Sequence, residues 1–195
     1  IAYLRHIPGM ICMAPKDENE LRHMLYSALQ YHAPVAIRYP RGAGLGVAQD
    51  EVLQVLPVGK GEVLQEGECV TLLALGSMVE VARQVAQRLK DEKNITATVI
   101  NARFVKPLDE ALILQYGRNS QLLVTLEEHS LAGGFGSAVL ELLNREQVNS
   151  SNVLRIGIGD EFVPHGNTEL LKQLAGLDVQ SITEKISSRL EELQV

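Results

Sequence analysis

The sequence is short of most signals that place a chain in a class at once. Its 195 residues hold two cysteines, Cys12 and Cys69, in no CxxC pairing. Each sits in an apolar, strand-like run, which predicts buried free thiols, a state suited to a reducing compartment. Basic residues are outnumbered 18 to 24, for a formal charge of −6, and this argues against a nucleic acid or an anionic membrane as the main partner. No apolar run approaches the roughly 20 residues that span a bilayer. Ser77 and Ser137 each precede a helix pattern but lack the GxSxG elbow, so a hydrolase is excluded. No internal repeat or low-complexity segment is present. The chain opens Ile1-Ala2-Tyr3-Leu4-Arg5, without a Met, a charged n-region or a signal-peptide h-region. The expectation is a piece of a longer chain, from which no targeting signal can be read.

What is present reads as an ordinary soluble globular composition, 46% hydrophobic and 22% charged. Met10–Ala14 predicts a short strand, broken by Pro15. Asp17 then predicts a helix cap with Glu20 as its capping-box partner. Leu21, Met24, Leu25, Ala28 and Leu29 predict one apolar stripe on that helix, and a strand follows over 34–39. Residues 48–59 read as a polar, irregular connector. Beyond it, 59–65 predicts a strand or hairpin arm closed by a turn at Glu66-Gly67-Glu68. Continuous apolar or β-branched runs at 70–75, 95–101, 122–126 and 153–156 predict buried strands. These alternate with helices over about 78–90, from Pro107 onward with Asp109 and Glu110 in the first turn, over 133–144, and over about 167–174 and 178–193. Strands alternating with helices imply a mostly parallel sheet covered on both faces.

The densest cluster of candidate chemistry is PVAIRYPRGAGLG at 34–46. Val35, Ala36 and Ile37 read as a buried strand that ends at Arg38, Tyr39, Pro40 and Arg41, before a loop with glycines at 42, 44 and 46. Pro40 has no N–H to give a ladder, so the strand stops there. Open α/β sheets bind ligands beside the loops at the carboxyl ends of their strands. A guanidinium there matches two oxygens of a phosphate or carboxylate at once. On spacing alone, Arg38 and Arg41 read first as ordinary surface arginines, since most loop arginines hold no ligand.

Other candidates carry less. Gly133-Gly134-Phe135-Gly136 feeds a helix but departs from the dinucleotide fingerprint, with Val139 where a glycine or alanine is wanted. A tight turn with close helix–strand packing is expected there in preference to a phosphate cradle. Glu127, Glu128 and His129 end a strand, with no second His or Cys at metal-ligand spacing, and are expected at a surface or subunit interface. His165, in the loop that follows Asp160, is expected to cap a helix or make a domain contact. His6, His23 and His32 show no partner arrangement.

RYPRG at 38–42, RFVKPLDEALIL at 103–114, LEEHSLAGGFGSAVLELL at 126–143 and GIGDEFVPHG at 157–166 occur in this order along nearly the whole chain. Together they resemble the carboxyl-terminal third of the 1-deoxy-D-xylulose-5-phosphate synthases, thiamine-diphosphate-dependent enzymes of the transketolase group. The resemblance implies an α/β fold in two parts. Residues 1–47 would be the end of a pyrimidine-binding parallel-sheet domain and 48–59 a linker. Residues 60–195 would be a three-layer transketolase C-terminal domain with a mostly parallel sheet.

It also implies a parent enzyme that condenses pyruvate with D-glyceraldehyde 3-phosphate, with loss of carbon dioxide, on the route to isoprenoid precursors. Thiamine diphosphate and magnesium are the implied cofactors of that parent. A homodimer is the implied assembly, and the location a bacterial cytoplasm or a plastid. Arg41 matches the family's grip on the substrate phosphate. Arg38 is a second candidate that could instead turn to the other side of the strand end and support the loop. The family's GDG-type diphosphate motif does not occur here, and its activating glutamate and substrate histidines fall before Ile1. The chain is therefore expected to carry no catalytic, cofactor-binding or metal-binding residue and to be inactive alone. A transketolase, the β subunit of a 2-oxo-acid dehydrogenase and a stand-alone interaction domain are the alternatives.

Overall fold

The computed structural model describes residues 1–193, so the last two residues of the unit expected over 60–195 lie outside the described residues. The first stretch carries α1 (Ala2–Arg5), β1 (Ile11–Met13), α2 (Glu18–Ala28) and β2 (Val35–Ile37). Asp17 caps α2 as predicted, accepting from the Glu20 N–H at 2.7 Å. The other half of the capping box differs, because the Glu20 carboxylate accepts from the Lys16 N–H at 2.7 Å.

The stripe expected on α2 does not face inward as a set. Met24 is buried, but Leu25 is 52% and Leu29 82% exposed, and the buried face is completed by Glu20, His23 and Ser27. The reason lies in the connector over 48–59, whose irregular backbone needs partners outside itself. The Gln54 N–H donates to His23 Nδ1 at 3.0 Å and the Leu56 N–H to Ser27 Oγ at 2.8 Å. With Nδ1 accepting, His23 donates from Nε2 to Asp50 at 2.8 Å. His23 therefore has the partners that spacing did not reveal.

The remaining elements are β3 (Glu62–Gln65), β4 (Val70–Ala74), α3 (Met78–Lys93), β5 (Ala97–Asn101), β6 (Phe104–Lys106), α4 (Glu110–Asn119), β7 (Leu122–Ser130), α5 (Phe135–Arg145), β8 (Val153–Ile158), α6 (Thr168–Leu174) and α7 (Val179–Leu193). Five strands form one sheet in the order β3-β5-β4-β7-β8. The ladders β5–β4, β4–β7 and β7–β8 are parallel and β3–β5 is antiparallel. The strand at 62–65 is thus no hairpin arm against β4. It forms the edge beyond β5.

The period of two along each strand sorts the core into layers. Val70, Leu72 and Ala74 of β4, with Leu122, Val124 and Leu126 of β7, pack under α3 and α7. Leu73 and Leu123, pointing the other way, pack with Ile113 of α4 and Phe135, Val139, Leu142 and Leu143 of α5. Continuous apolar strands here do mean a sheet buried on both faces. The result is a three-layer α/β fold with a mostly parallel sheet.

Three sequence expectations need correction. Pro107 does not open α4; the helix begins at Glu110, and Asp109 caps it by accepting from the Leu112 N–H. Phe104–Lys106, not expected as a strand, forms β6. It completes a three-stranded sheet β2-β1-β6, pairing antiparallel with β1 while β2 pairs parallel on its other side. As one of that sheet's edges, β2 is half-buried along its length where a buried strand was expected.

A buried ionic network reinforces this shared sheet. Glu20, 2% exposed, accepts from Arg103 Nε at 2.6 Å and Asn101 Nδ2 at 2.8 Å. It also pairs with Lys16 at 3.3 Å. Arg103 and Lys16 both reach Glu62, at 2.8 and 3.1 Å. Burial pushes the Glu62 carboxyl up, but Arg103 and Lys16 outweigh it and hold the group below its ordinary value.

Candidate functional site

Arg38 and Arg41 leave the end of β2 in different directions. Arg38 is half-buried, and its N–H donates to the Met13 carbonyl at 2.9 Å. Its guanidinium donates to the Glu128 carbonyl at 2.5 Å, so it ties the end of β2 to the end of β7. Arg41 is exposed and lines a cleft of about 870 Å³ between the 39–45 loop, the start of α2, the start of α3 and α6.

The cleft holds three cations, Lys16, Arg41 and Lys172, and five carboxylates, Asp17, Glu18, Glu80, Glu128 and Glu169. Lys16 is engaged by Glu20 and Glu62, and Lys172 lies 3.8 Å from Glu128. Among the described residues Arg41 alone of the three makes no ion pair. Ser77, at the start of α3, donates to Glu128 Oε2 at 2.8 Å. Glu128 therefore serves the cleft wall through both its backbone and its side chain.

The sequence reading missed Glu18. Its carboxylate accepts from three successive amides of the glycine loop: Leu45 at 3.0, Gly46 at 2.6 and Val47 at 3.0 Å. The N–H of Glu18 itself, followed by those loop amides, lowers its pKa below the usual carboxylate value. The one signal available was the acid-rich run Asp17-Glu18-Asn19-Glu20, in which a single residue suffices as a cap.

Glu127 corrects the expectation of a surface or interface role. It is fully buried, and its carboxylate accepts from the Phe135 and Gly136 N–H groups at 2.7 and 2.8 Å. It thus satisfies the amino terminus of α5. Burial raises its pKa, against the pull of those two amides. A Cβ on Gly134 would stand 2.3 Å from both Glu127 Oε2 and the Ser130 carbonyl. The glycine run is therefore a tight turn whose anion site is filled by the chain's own carboxylate. His129 is half-buried at the end of β7, and burial depresses its pKa. His165 and Asp160 are exposed, and α6 is capped by Asn167, which accepts from the Glu169 N–H at 2.8 Å. Cys12 is buried as expected, Cys69 is only half-buried, and both are free.

Among the described residues no group of three or more His, Cys, Asp or Glu is placed to share a metal ion. The carboxylates of the cleft are not grouped to share a metal ion among the described residues, and a single unpaired guanidinium is left for a diphosphate. These donors do not fit that group. No helix among the described residues is long and apolar enough to cross a membrane.

Comparison with known proteins agrees with this architecture. Residues 59–182 match the transketolase C-terminal domain, and residues 1–45 match the transketolase pyrimidine binding domain. The chain belongs to the transketolase family through its C-terminal domain. Within it, the chain is similar to curated 1-deoxy-D-xylulose-5-phosphate synthases. It is 54% identical to that of Heliobacterium modesticaldum over 93% of this chain and 28% of the relative. It is also 54% identical to that of Symbiobacterium thermophilum, over 97% of this chain and 29% of the relative. The chain thus spans less than a third of the length of these relatives. Among solved structures, a split gene transketolase described as an inactive beta4 tetramer superposes with a TM-score of 0.83 at 31% identity. That match covers 97% of this chain and 61% of the other. A transketolase mutant from Pichia stipitis, at 17% identity and a TM-score of 0.73 over 99% of this chain and 27% of its own, shares the fold.

Proposed function

We propose that this chain supplies the substrate-phosphate anchor of a thiamine-diphosphate-dependent synthase. The reaction is the condensation of pyruvate with D-glyceraldehyde 3-phosphate to 1-deoxy-D-xylulose 5-phosphate, with loss of carbon dioxide. One observation carries the reading: Arg41 stands in the cleft beyond the end of β2 with no ion partner among the described residues, while the two lysines of the same cleft are engaged. The similarity to curated synthases supports D-glyceraldehyde 3-phosphate as the phosphate it would meet.

A guanidinium does not titrate away near neutral pH, and its planar fork of donors fixes the orientation of a bound phosphate. The surrounding carboxylates repel a dianion from the rest of the cleft, which leaves the reach of Arg41 as its favoured place. Holding the phosphate there directs the aldehyde end of the substrate at a constant angle, and orientation of this kind lowers the barrier to a bimolecular addition. Arg38, by joining β2 to β7, supports the loop. Thiamine diphosphate and magnesium belong in this reading to the whole protein and are held by other residues; when bound, the cofactor supplies the carbanion chemistry. The chain alone is inactive, and the whole protein works as a homodimer in a bacterial cytoplasm or a plastid.

The test is Arg41→Ala in the full-length protein. Loss of a charge-assisted contact of roughly 1.5–3 kcal/mol raises the KM for D-glyceraldehyde 3-phosphate by about 10- to 150-fold and leaves that for pyruvate nearly unchanged. An equal change in both constants would overturn the assignment. The 31% likeness to a split gene transketolase supports a second reading, transfer between sugar phosphates. Turnover of a ketose phosphate donor, in the absence of pyruvate, would favour it.

A further inference from the structure

We propose that Glu18 is a positioning residue for Arg41: from the first turn of α2 its carboxylate clamps the glycine loop and so fixes where the guanidinium stands in the cleft. This rests on the reading of Arg41 as the phosphate anchor.

Three observations support it. First, consecutive amides converging on one anion form a nest, the backbone arrangement that binds carboxylates and phosphates. Here the amides of Leu45, Gly46 and Val47 converge on Glu18. Second, little else holds this loop. Residues 39–46 are exposed, and a Cβ added at Gly42 or Gly46 would meet nothing within 4 Å. Gly46, at φ +80°, takes a left-handed turn that presents its N–H to the carboxylate. Third, the approach is close: a Cβ on Gly44 would stand 2.7 Å from Glu18 Cδ, so a side chain there would displace the carboxylate.

Arg41 thus lies between two pinned points. On one side the Arg38 N–H meets the Met13 carbonyl and its guanidinium meets the Glu128 carbonyl. On the other side stands the Glu18 clamp. Removing the clamp leaves one end of the span free, and the guanidinium then samples positions that no longer match the phosphate. Glu18 lines the same cleft, yet its negative charge would repel a phosphate. Its contribution is therefore through the loop and not through contact with substrate.

The experiment compares Glu18→Ala, Glu18→Gln, Arg41→Ala and the Glu18→Ala/Arg41→Ala double variant of the full-length protein. The readouts are both Michaelis constants and hydrogen exchange of the 42–48 segment. Glu18→Ala is expected to raise the KM for D-glyceraldehyde 3-phosphate roughly 10-fold with that for pyruvate within about twofold. Glu18→Gln, which keeps an acceptor oxygen, should recover part of the loss. On the Arg41→Ala background Glu18→Ala should add less than about twofold, because there is no guanidinium left to position. Exchange at 45–47 should quicken while the rest of the protein is unchanged. Gly44→Ala, which displaces the carboxylate but keeps its charge, should act in the same direction and replaces Glu18→Ala if that variant does not fold. Selective loss in Arg41→Ala with none in Glu18→Ala, or effects that simply multiply in the double variant, overturns the role of Glu18 and leaves Arg41 standing. No selective loss in Arg41→Ala removes the anchor and the clamp's purpose together.

Discussion

The junction around Glu20 and the loop around Arg41 flank the same first turn of α2 and use charge in opposite ways. At the junction Glu20, Glu62, Lys16, Arg103 and Asn101 satisfy one another, and Glu20 and Arg103 are largely withdrawn from water. At the loop, an exposed guanidinium faces a cleft without an ion partner among the described residues. Closed networks hold structure, because removing one member strands the others in a poorly solvating place. An open charge costs the fold little and remains available to a ligand. The contrast shows why residue type says little about role here: arginine and glutamate occur in both regions, and what separates them is how many partners are satisfied and how far the charges are withdrawn from water.

The sharpest way to break this comparison is Glu20→Ala. It leaves Arg103 and Lys16 short of a buried partner and should lower stability by about 3–5 kcal/mol, measured by denaturant unfolding. A loss below about 1 kcal/mol would mean the junction is no more closed than the loop. Arg41→Ala is the counterpart. Its stability should stay within about 0.5 kcal/mol of the parent, while the KM effect on the phosphorylated substrate follows as set out above. Comparable unfolding losses in the two variants would erase the distinction. Gly134→Ala probes a third closed site, the Glu127 carboxylate on the start of α5. A methyl group there forces both the carboxylate and the Ser130 carbonyl to move, for an expected loss of about 1–3 kcal/mol, readable as a drop in Tm.

The smallest effect is in pH dependence, and its sign differs between the half-buried Glu62 and the buried Glu127. Glu62 is held below its ordinary pKa. Its contribution is therefore complete above the unfolded value of about 4.3 and is lost as pH falls through the lower folded value. Glu127 is raised. The fold favours its neutral form, so stability from this group is greatest below about pH 4.3 and declines as pH rises through the higher folded value. Unfolding midpoints between about pH 3 and pH 7 should show Glu62→Gln flattening the acid limb and Glu127→Gln removing the decline on the other side. The same slope change in both variants would contradict these assignments.

Legibility in the sequence followed how local the determining contacts are. The strands at 70–74 and 122–126 were readable because a continuous apolar run needs no knowledge of its neighbours, and Asp17 was readable as a cap because its partner lies three residues away. The inward face of α2 was not. Its hydrophobic spacing points to Leu25 and Leu29, but the connector needs hydrogen bonds and draws His23 and Ser27 inward. Strand β6 was missed because it exists as a strand only by pairing with β1, some 90 residues earlier in the chain. In the candidate site, Arg41 was singled out by the resemblance of RYPRG, since spacing alone reads it as an ordinary surface arginine. Glu18 was not, since nothing in a run of acids says which one will meet amides 27 residues away.

The sequence by itself determined the alternation of strands and helices, and with it the parallel sheet covered on both faces, because burial of periodic apolar side chains is a local instruction. It also put two arginines, Arg38 and Arg41, just past the end of β2. The tertiary structure alone decided which charges are closed and which stay open. Whether a carboxylate meets a guanidinium, a helix amino terminus or a nest of loop amides depends on segments that come together only when the chain has folded. The electrostatic consequence of each meeting depends in turn on how much water the fold leaves beside it.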